Sequence, residues 1–189
     1  MGKYNQVFEK TDRIILRRFS IDDTNYFHFY RSNPAVAKFQ SWENYQYHEA
    51  KTFINEQIKN NPNQPGTWFQ FAIALAENNK IIGDCALHTL LSDSRIVEIG
   101  FTLSPEYQGN GNGNGTEAVC ALLNYIFHSL RKHKVIAFLD VRNNKSISVL
   151  ERVGMRREGH LLQNYMLKGQ WIDEYQYSLL RSEWKGTRY

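Results

Sequence analysis

Two cysteines, Cys85 and Cys120, are all that this 189-residue chain carries. Both sit inside apolar patterns, which excludes a disulfide-stapled scaffold and predicts two buried thiols in a reducing compartment. Long apolar runs are also missing. The stretches are only a few residues long, as in FAIALA at 71–76, so no membrane span is expected. The opening MGKYNQVFEKTDR is polar and has no apolar h-region, and Gln6 stands where a myristoylation motif needs Ser or Thr. A cytoplasmic placement is the resulting expectation. Basic blocks are short, with RKHK at 131–134 the longest, and the formal charge is +4. Direct contact with nucleic acid is therefore not expected, and an anionic ligand fits a mild positive balance equally well. The six histidines are scattered without ligand spacing, so no metal site is expected.

What is present is a globular composition, 42% hydrophobic and 22% charged, on a chain long enough to bury most of its apolar surface. No repeat or linker divides it, so residues 1–189 are read as one domain. RIILRRF (13–19) reads as a first strand. Asp22 and Asp23 offer an N-cap for a helix over about 23–32, and a second helix is predicted around 47–59 from Ala50, Phe53, Ile54 and Ile58. After the break NNPNQPG the period changes. WFQFAIALA, KIIGDCALHTLL and IVEIGFTL read as an antiparallel meander. A helix over 116–132, the strand VIAFLDV (135–141), a helix over about 145–153 ending at Gly154, and strands near 161–167 and 171–180 complete the chain. The predicted order is βααβββ, glycine loop, αβαββ. This is an α/β (α+β) domain with a mixed, mostly antiparallel sheet flanked by helices.

The loop is YQGNGNGNGTEA (107–118), where four of twelve glycines fall within seven positions. Bare backbone before a helix suits a phosphate, because the first helical amides lack intrahelical partners and carry partial positive charge. A plain surface turn is the bland alternative. Gly113 to Ala118 also matches G-x-G-x-x-A, the fingerprint of an NAD-type dinucleotide enzyme. The long turn from Leu103, the late position of Asp140 and the preceding meander count against that reading.

Taken together, RIILRRFS, EIGFTLSPEYQG, RNNKSISVLERVGM and GQWIDEYQYSLLRSEW occur in the order found in the GNAT superfamily of N-acetyltransferases. The chain most resembles its ribosomal-protein N-terminal acetyltransferase (RimJ/RimL-like) branch, and the resemblance spans nearly the whole chain. It implies a GNAT fold with acetyl-CoA as cosubstrate and no metal. It also implies an acceptor that is a small amine or a protein N-terminus, with no membrane partner; a homodimer is left open, with Trp184 and Tyr189 as surface aromatics that suit one. The family loop is Q/R-x-x-G-x-G/A. Gln108, Gly111 and Gly113 fit it, and so does the register two residues later that uses Gly113 and Gly115. The sequence looks like the family plus one extra Gly-Asn unit. The later register is favoured here because the helix is expected to start at Thr116, and Asn114 lies within it.

The resemblance further implies that Phe101, Thr102 and Leu103 lie along pantetheine, that Asn143 contacts the CoA arm, and that Ser146 lies near the sulfur. Where many relatives carry a tyrosine acid, this chain has Leu150. Glu98 shares a strand face with Gly100 and Thr102 and is the expected base for the acceptor amine. Phe39, Trp42 and His88 are expected in the acceptor pocket. Neither cysteine has a surrounding that would activate it as a nucleophile, so direct attack in a ternary complex is expected. A silent acyl-CoA-binding module is the alternative, since an enlarged loop can misplace the pyrophosphate.

Overall fold

The computed structural model describes residues 6–109 and 113–186. Its strands are β1 (Val7–Lys10), β2 (Ile14–Arg17), β3 (Trp68–Leu75), β4 (Ile81–Thr89), β5 (Ile96–Leu103), β6 (Lys134–Asp140), β7 (Arg156–Leu167) and β8 (Gln170–Leu180). The helices are α1 (Thr24–Arg31), α2 (Pro34–Ala37), α3 (Tyr47–Lys59), α4 (Asn114–Asn124) and α5 (Asn144–Arg152). All eight strands form one sheet in the order β1-β2-β3-β4-β5-β6-β8-β7. Every neighbouring pair is antiparallel except β5 and β6.

The expected order needs two additions, β1 and the short α2. β1 is held less by its own pattern than by its neighbours. Phe8 packs edge-on against Phe69, Phe71 and Tyr125 at 5.0–5.5 Å, while Thr11 Oγ1 accepts from the Ile14 amide at 2.9 Å and closes the hairpin. α4 begins at Asn114, two residues before the expected start, and continues into a π-helical turn over Tyr125–Ser129. Trp184, read from the sequence as a surface aromatic, packs near Phe127 and donates to Asn124 Oδ1 at 3.0 Å. Tyr189 and Gly111 lie outside the described residues. The sheet is not doubly wound, so Gly113 to Ala118 does not open a dinucleotide-binding unit.

Strand alternation sends side chains to two cores. Phe71, Ile73, Cys85, Leu87, Val97 and Ile99 meet α4 and α5 on one face. Ala72 and Ile81 meet Phe19, Phe27, Tyr30, Ala50 and Ile54 of the α1–α3 layer on the other. The charged pair in RIILRRF fits this scheme. Arg17 grips Asp23 with two bonds of 2.7 and 2.8 Å, so Asp23 serves the strand and gives α1 no side-chain cap. Arg18 is 2% exposed and donates to the Gln57 and Ile58 carbonyls at the end of α3, both at 3.3 Å. A cation is well placed there, where the carbonyls lack helical partners.

The α1–α3 layer is fastened to the sheet by Asp84 of β4. Its carboxylate accepts from the Tyr30 hydroxyl at 2.6 Å and from Arg31 Nη2 at 2.9 Å, and the two charged side chains are 3% and 4% exposed. The Arg31 guanidinium lies 4.3 Å from the ring centre of Phe27, 4.1 Å from Trp42 and 4.9 Å from Phe53. Removing one partner of such a buried pair leaves an uncompensated charge. Arg31→Ala is expected to lower unfolding stability by about 3–5 kcal/mol, read from the urea midpoint. The double variant Arg31→Met/Asp84→Leu should recover part of that loss.

Candidate functional site

The site begins where two strands part. β4 pairs with β5 from Gly83↔Leu103 to Thr89↔Val97. β6 pairs with β5 only at Ile96↔Lys134, Val97↔Val135 and Glu98↔Ile136. Beyond Glu98 the edge of β5 that faces β6 has no strand partner, and a cleft opens. It is lined by Ile99, Gly100 and Phe101 of β5, Ala137 to Asp140 of β6, and Asn143 and Ser146 at the start of α5. Phe39, Tyr165, Leu167 and Ile172 enclose it from above, leaving a cavity of about 150 Å³. This roof is tied down by Lys168, whose ammonium donates to the Ala37 carbonyl at 2.8 Å and meets Glu43 at 3.3 Å.

Alternation decides which backbone groups face the cleft. The Ile96 carbonyl accepts from Leu90 and the Ser104 amide donates to Ile82, both on the β4 side. Residues 98, 100 and 102 therefore spend their backbone groups on β4, and residues 99, 101 and 103 turn theirs toward the cleft. Phe101 and Leu103 therefore turn backbone groups to the free edge, and Thr102 turns its own to β4. Its amide belongs to the β4 ladder, and its hydroxyl accepts from Gln40 Nε2 at 3.3 Å. The Leu103 carbonyl accepts from Gln108 Nε2 at 2.7 Å. β4 and β5 run so close that a Cβ on Gly83 would lie 2.2 Å from the Thr102 carbonyl.

The N-terminus of α4 lies beside the end of β5, where Gly115 comes close to Leu103. Gly113 is its N-cap with φ 68°, a left-handed conformation that suits glycine. A Cβ on Gly115 would sit 3.4 Å from Val149 and 3.5 Å from Leu103, so the bare first turn of α4 nests between α5 and the end of β5. Asn114, Gly115 and Thr116 supply first-turn amides that have no acceptor one turn back within the helix. The turn is held from behind by Glu117, 1% exposed, which accepts from Thr11 Oγ1 at 2.6 Å and from Arg13 Nε at 2.7 Å. Arg13 Nη2 comes within 3.6 Å of a Cβ built on Gly113, and Lys145 Nζ contacts Gln108 Oε1 at 3.4 Å. Two cations thus flank the loop.

α5 starts at Asn143, whose Oδ1 accepts from the Ser146 amide at 3.3 Å, an N-cap. Leu150 is fully buried below Ser146, and Tyr165 brings a phenol to the same cleft from β7. Trp42 does not line the cleft: it stacks on Arg31, and its indole N–H donates to the Arg31 carbonyl at 3.1 Å. The sequence shows an aromatic there but not that a buried cation would claim it. Tyr165, Lys145 and Arg13 escaped the sequence reading. Lys145 alone had a visible cue, its place inside the N-x-x-S segment.

Glu98 sits at the last paired position, where β5 and β6 part. Burial raises its carboxyl above the usual range, His88 pulls it down, and Glu174 of β8 pushes it up again. His88 Nδ1 is 3.7 Å from Glu98 Oε2. Cys85 is fully buried and burial pushes its thiol well up, which leaves it inert.

Residues 13–156 match the acetyltransferase (GNAT) domain family. The chain is 30% identical over 177 residues to an uncharacterized N-acetyltransferase, p20, of Bacillus licheniformis, covering 93% of this chain and 97% of that protein. It is 25% identical to spermidine N(1)-acetyltransferase of Vibrio cholerae, over 91% of this chain and 95% of that protein. It is also 25% identical to the ribosomal protein uS5-alanine N-acetyltransferase of Escherichia coli, over 65% and 63%. A GNAT-family acetyltransferase structure from Bacillus anthracis superposes with a TM-score of 0.84 at 28% identity, covering 94% of this chain and all of that one.

The raised Glu98 carboxyl has a consequence for stability. Folding increases its proton affinity, so its ionised form opposes folding once the pH exceeds the ordinary glutamate range. Glu98→Gln is expected to melt higher than the wild type at pH 8. The difference should close as the pH falls through that range, checked by thermal melts across pH.

Proposed function

The chain belongs to the GNAT acetyltransferases and is an N-acetyltransferase, and on that basis we propose that it moves an acetyl group from acetyl-CoA to a primary amine by direct attack in a ternary complex. The observation that carries this reading is the geometry of one strand. β5 has a carboxylate where β6 leaves it, a free backbone edge beyond, and the bare first turn of α4 at its far end.

In this reading the pyrophosphate of CoA lies against the first turn of α4, at Gly113, Asn114, Gly115 and Thr116, with Arg13 and Lys145 on either side. Pantetheine runs along the free edge of β5 and bonds backbone groups of Phe101 and Ile99, as a missing strand would. Gln108 holds the end of that edge through the Leu103 carbonyl. Asn143 and Ser146 border the arm where the thioester arrives. Acetyl-CoA supplies an activated carbonyl, and everything else is positioning. The acceptor amine comes to Glu98, which takes its proton in the ionised form. The nitrogen forms the new C–N bond, the C–S bond breaks, and the nitrogen's second proton passes to the thiolate, beside Ser146 or through water.

The acceptor is a protonated primary amine before it reaches the base. Relatives named for spermidine and for the alanine of uS5 both act on such groups, and Glu174 stands on the same side as Glu98 to favour a cation. The RimJ/RimL-like resemblance points to a protein N-terminus within this class, and the polyamine relative points to a small amine.

Four measurements bear on the proposal. Millimolar CoA should raise the melting temperature, as any ligand of the native state does. Release of free CoA thiol from acetyl-CoA should accelerate when the right amine or N-terminal peptide is supplied. Binding without thiol release for any amine would leave only an acyl-CoA-binding module. Glu98→Gln should lower kcat by about 10²–10⁴-fold, with an acid limb in the wild type above the ordinary carboxylate range. Ser146→Ala should lower kcat more than it raises KM, and an unchanged kcat would remove Ser146 from the mechanism.

A further inference from the structure

His88 and Glu98 are direct cross-strand partners on β4 and β5, so their side chains rise from the same face of the sheet. Their nearest polar atoms, Nδ1 and Oε2, stand 3.7 Å apart, just beyond a hydrogen bond. His88 Nδ1 is nonetheless buried, and no hydrogen bond reaches it. A buried ring nitrogen needs a polar neighbour, and Glu98 stands within ion-pair distance of it. The ring is not loose. It lies flat on the Trp68 indole, with centroids 4.9 Å apart and planes 17° from parallel, which holds the plane of the ring. The side chain as a whole is 22% exposed, so the part of the ring away from Nδ1 reaches solvent. Trp68 stands at the rim, 43% exposed.

We propose that His88 is the proton exit for Glu98, receiving at Nδ1 the proton that Glu98 takes from the ammonium form of the acceptor and releasing another to solvent from Nε2. The inference rests on Glu98 being the base. Glu98 is itself 25% exposed, but in this mechanism that exposed part is where the amine docks. Once the amine is seated, the second route from the carboxyl runs through the imidazole. The other groups around the pair are Ile136 on β6, which carries no proton, Trp68 on β3, and Glu174 on β8. Burial and Glu174 raise the Glu98 carboxyl, and His88 lowers it. Imidazole suits the step because it accepts at one nitrogen and donates from the other near neutral pH.

The protons balance. An ammonium acceptor loses two protons on becoming an amide. One passes from the nitrogen to the departing thiolate, and the other passes to Glu98, then His88, then water. An acceptor that is already a neutral amine has only the first proton to lose and does not need the exit. This separates a relay from a packing role. His88 acts through Glu98 and is a positioning residue for the proton, not a group that touches the reacting atoms.

The test compares an amine found active in the thiol-release screen with its β,β-difluorinated counterpart, which is neutral at the assay pH. In His88→Gln, kcat for the parent amine should fall about 10-fold or more relative to the fluorinated one, and added imidazole should restore part of the parent rate. An equal CoA-induced melting shift in variant and wild type confirms that the cofactor end is intact. His88→Asn carries the same ratio test if the glutamine variant does not fold. If both amines slow equally, or neither slows, His88 is a packing residue and the proposal is overturned. If Glu98→Gln leaves kcat unchanged in the wild-type background, the base assignment fails and the relay falls with it.

Discussion

Backbone hydrogen bonds must be satisfied, and β5 is a central strand that satisfies them on one edge only. Its β4 edge is zipped from Val97 to Leu103, while its β6 edge is closed over three residues and then released. In water alone such an edge is tolerable, but inside a fold it acts as a template for an extended guest. The positions of Glu98, Phe101, Ser146 and the α4 N-terminus all follow from that release. The first marks where it occurs, the next lies along the freed edge, Ser146 borders the space that opens, and α4 starts beside the end of β5. Gly83 belongs to the same constraint, because only a residue without Cβ lets β4 lie tightly enough against Thr102 to hold β5 from one side.

Buried charges keep the parted strands in place. Asp84 binds the α1–α3 layer through Tyr30 and Arg31, and that layer presents Phe39 and Gln40 to the cleft. Glu117 binds the first turn of α4 to the β1–β2 hairpin. In each case an ion that would be costly alone has two or more partners. Rigid supports on both sides fit a reaction whose catalysis is largely positioning.

Much of this was legible in the sequence where local pattern and tertiary role agree. The helix over 47–59 and the strand IVEIGFTL stand where periodicity put them, because their apolar faces are also their buried faces. Asn143 caps α5 through a bond to a residue three positions on, a local contact of the same kind. Other features depend on partners far along the chain. β1 is four residues whose pattern means little without Phe69 and Phe71 beneath Phe8. The start of α4 at Asn114 runs against the poor helix propensity of Asn and Gly. It is imposed by the close approach of Gly115 to Leu103 and Val149 and by Asn114 Nδ2 bonding the Tyr107 carbonyl at 3.4 Å. Trp42 shows the converse. An aromatic in an irregular stretch looked like a pocket wall, and only the presence of Arg31 beneath it explains its true place.

The bonds from Thr11 and Arg13 to Glu117 join residues 106 and 104 positions apart. Contacts of such long range close late, since the loop entropy must be overcome first. The first turn of α4 therefore takes its final position only when the chain's beginning returns to meet its middle. During synthesis the meander and its divergent strand can be in place while the start of α4 is still unanchored. The junction between the β1–β2 hairpin and α4 is then among the last contacts the folding chain makes.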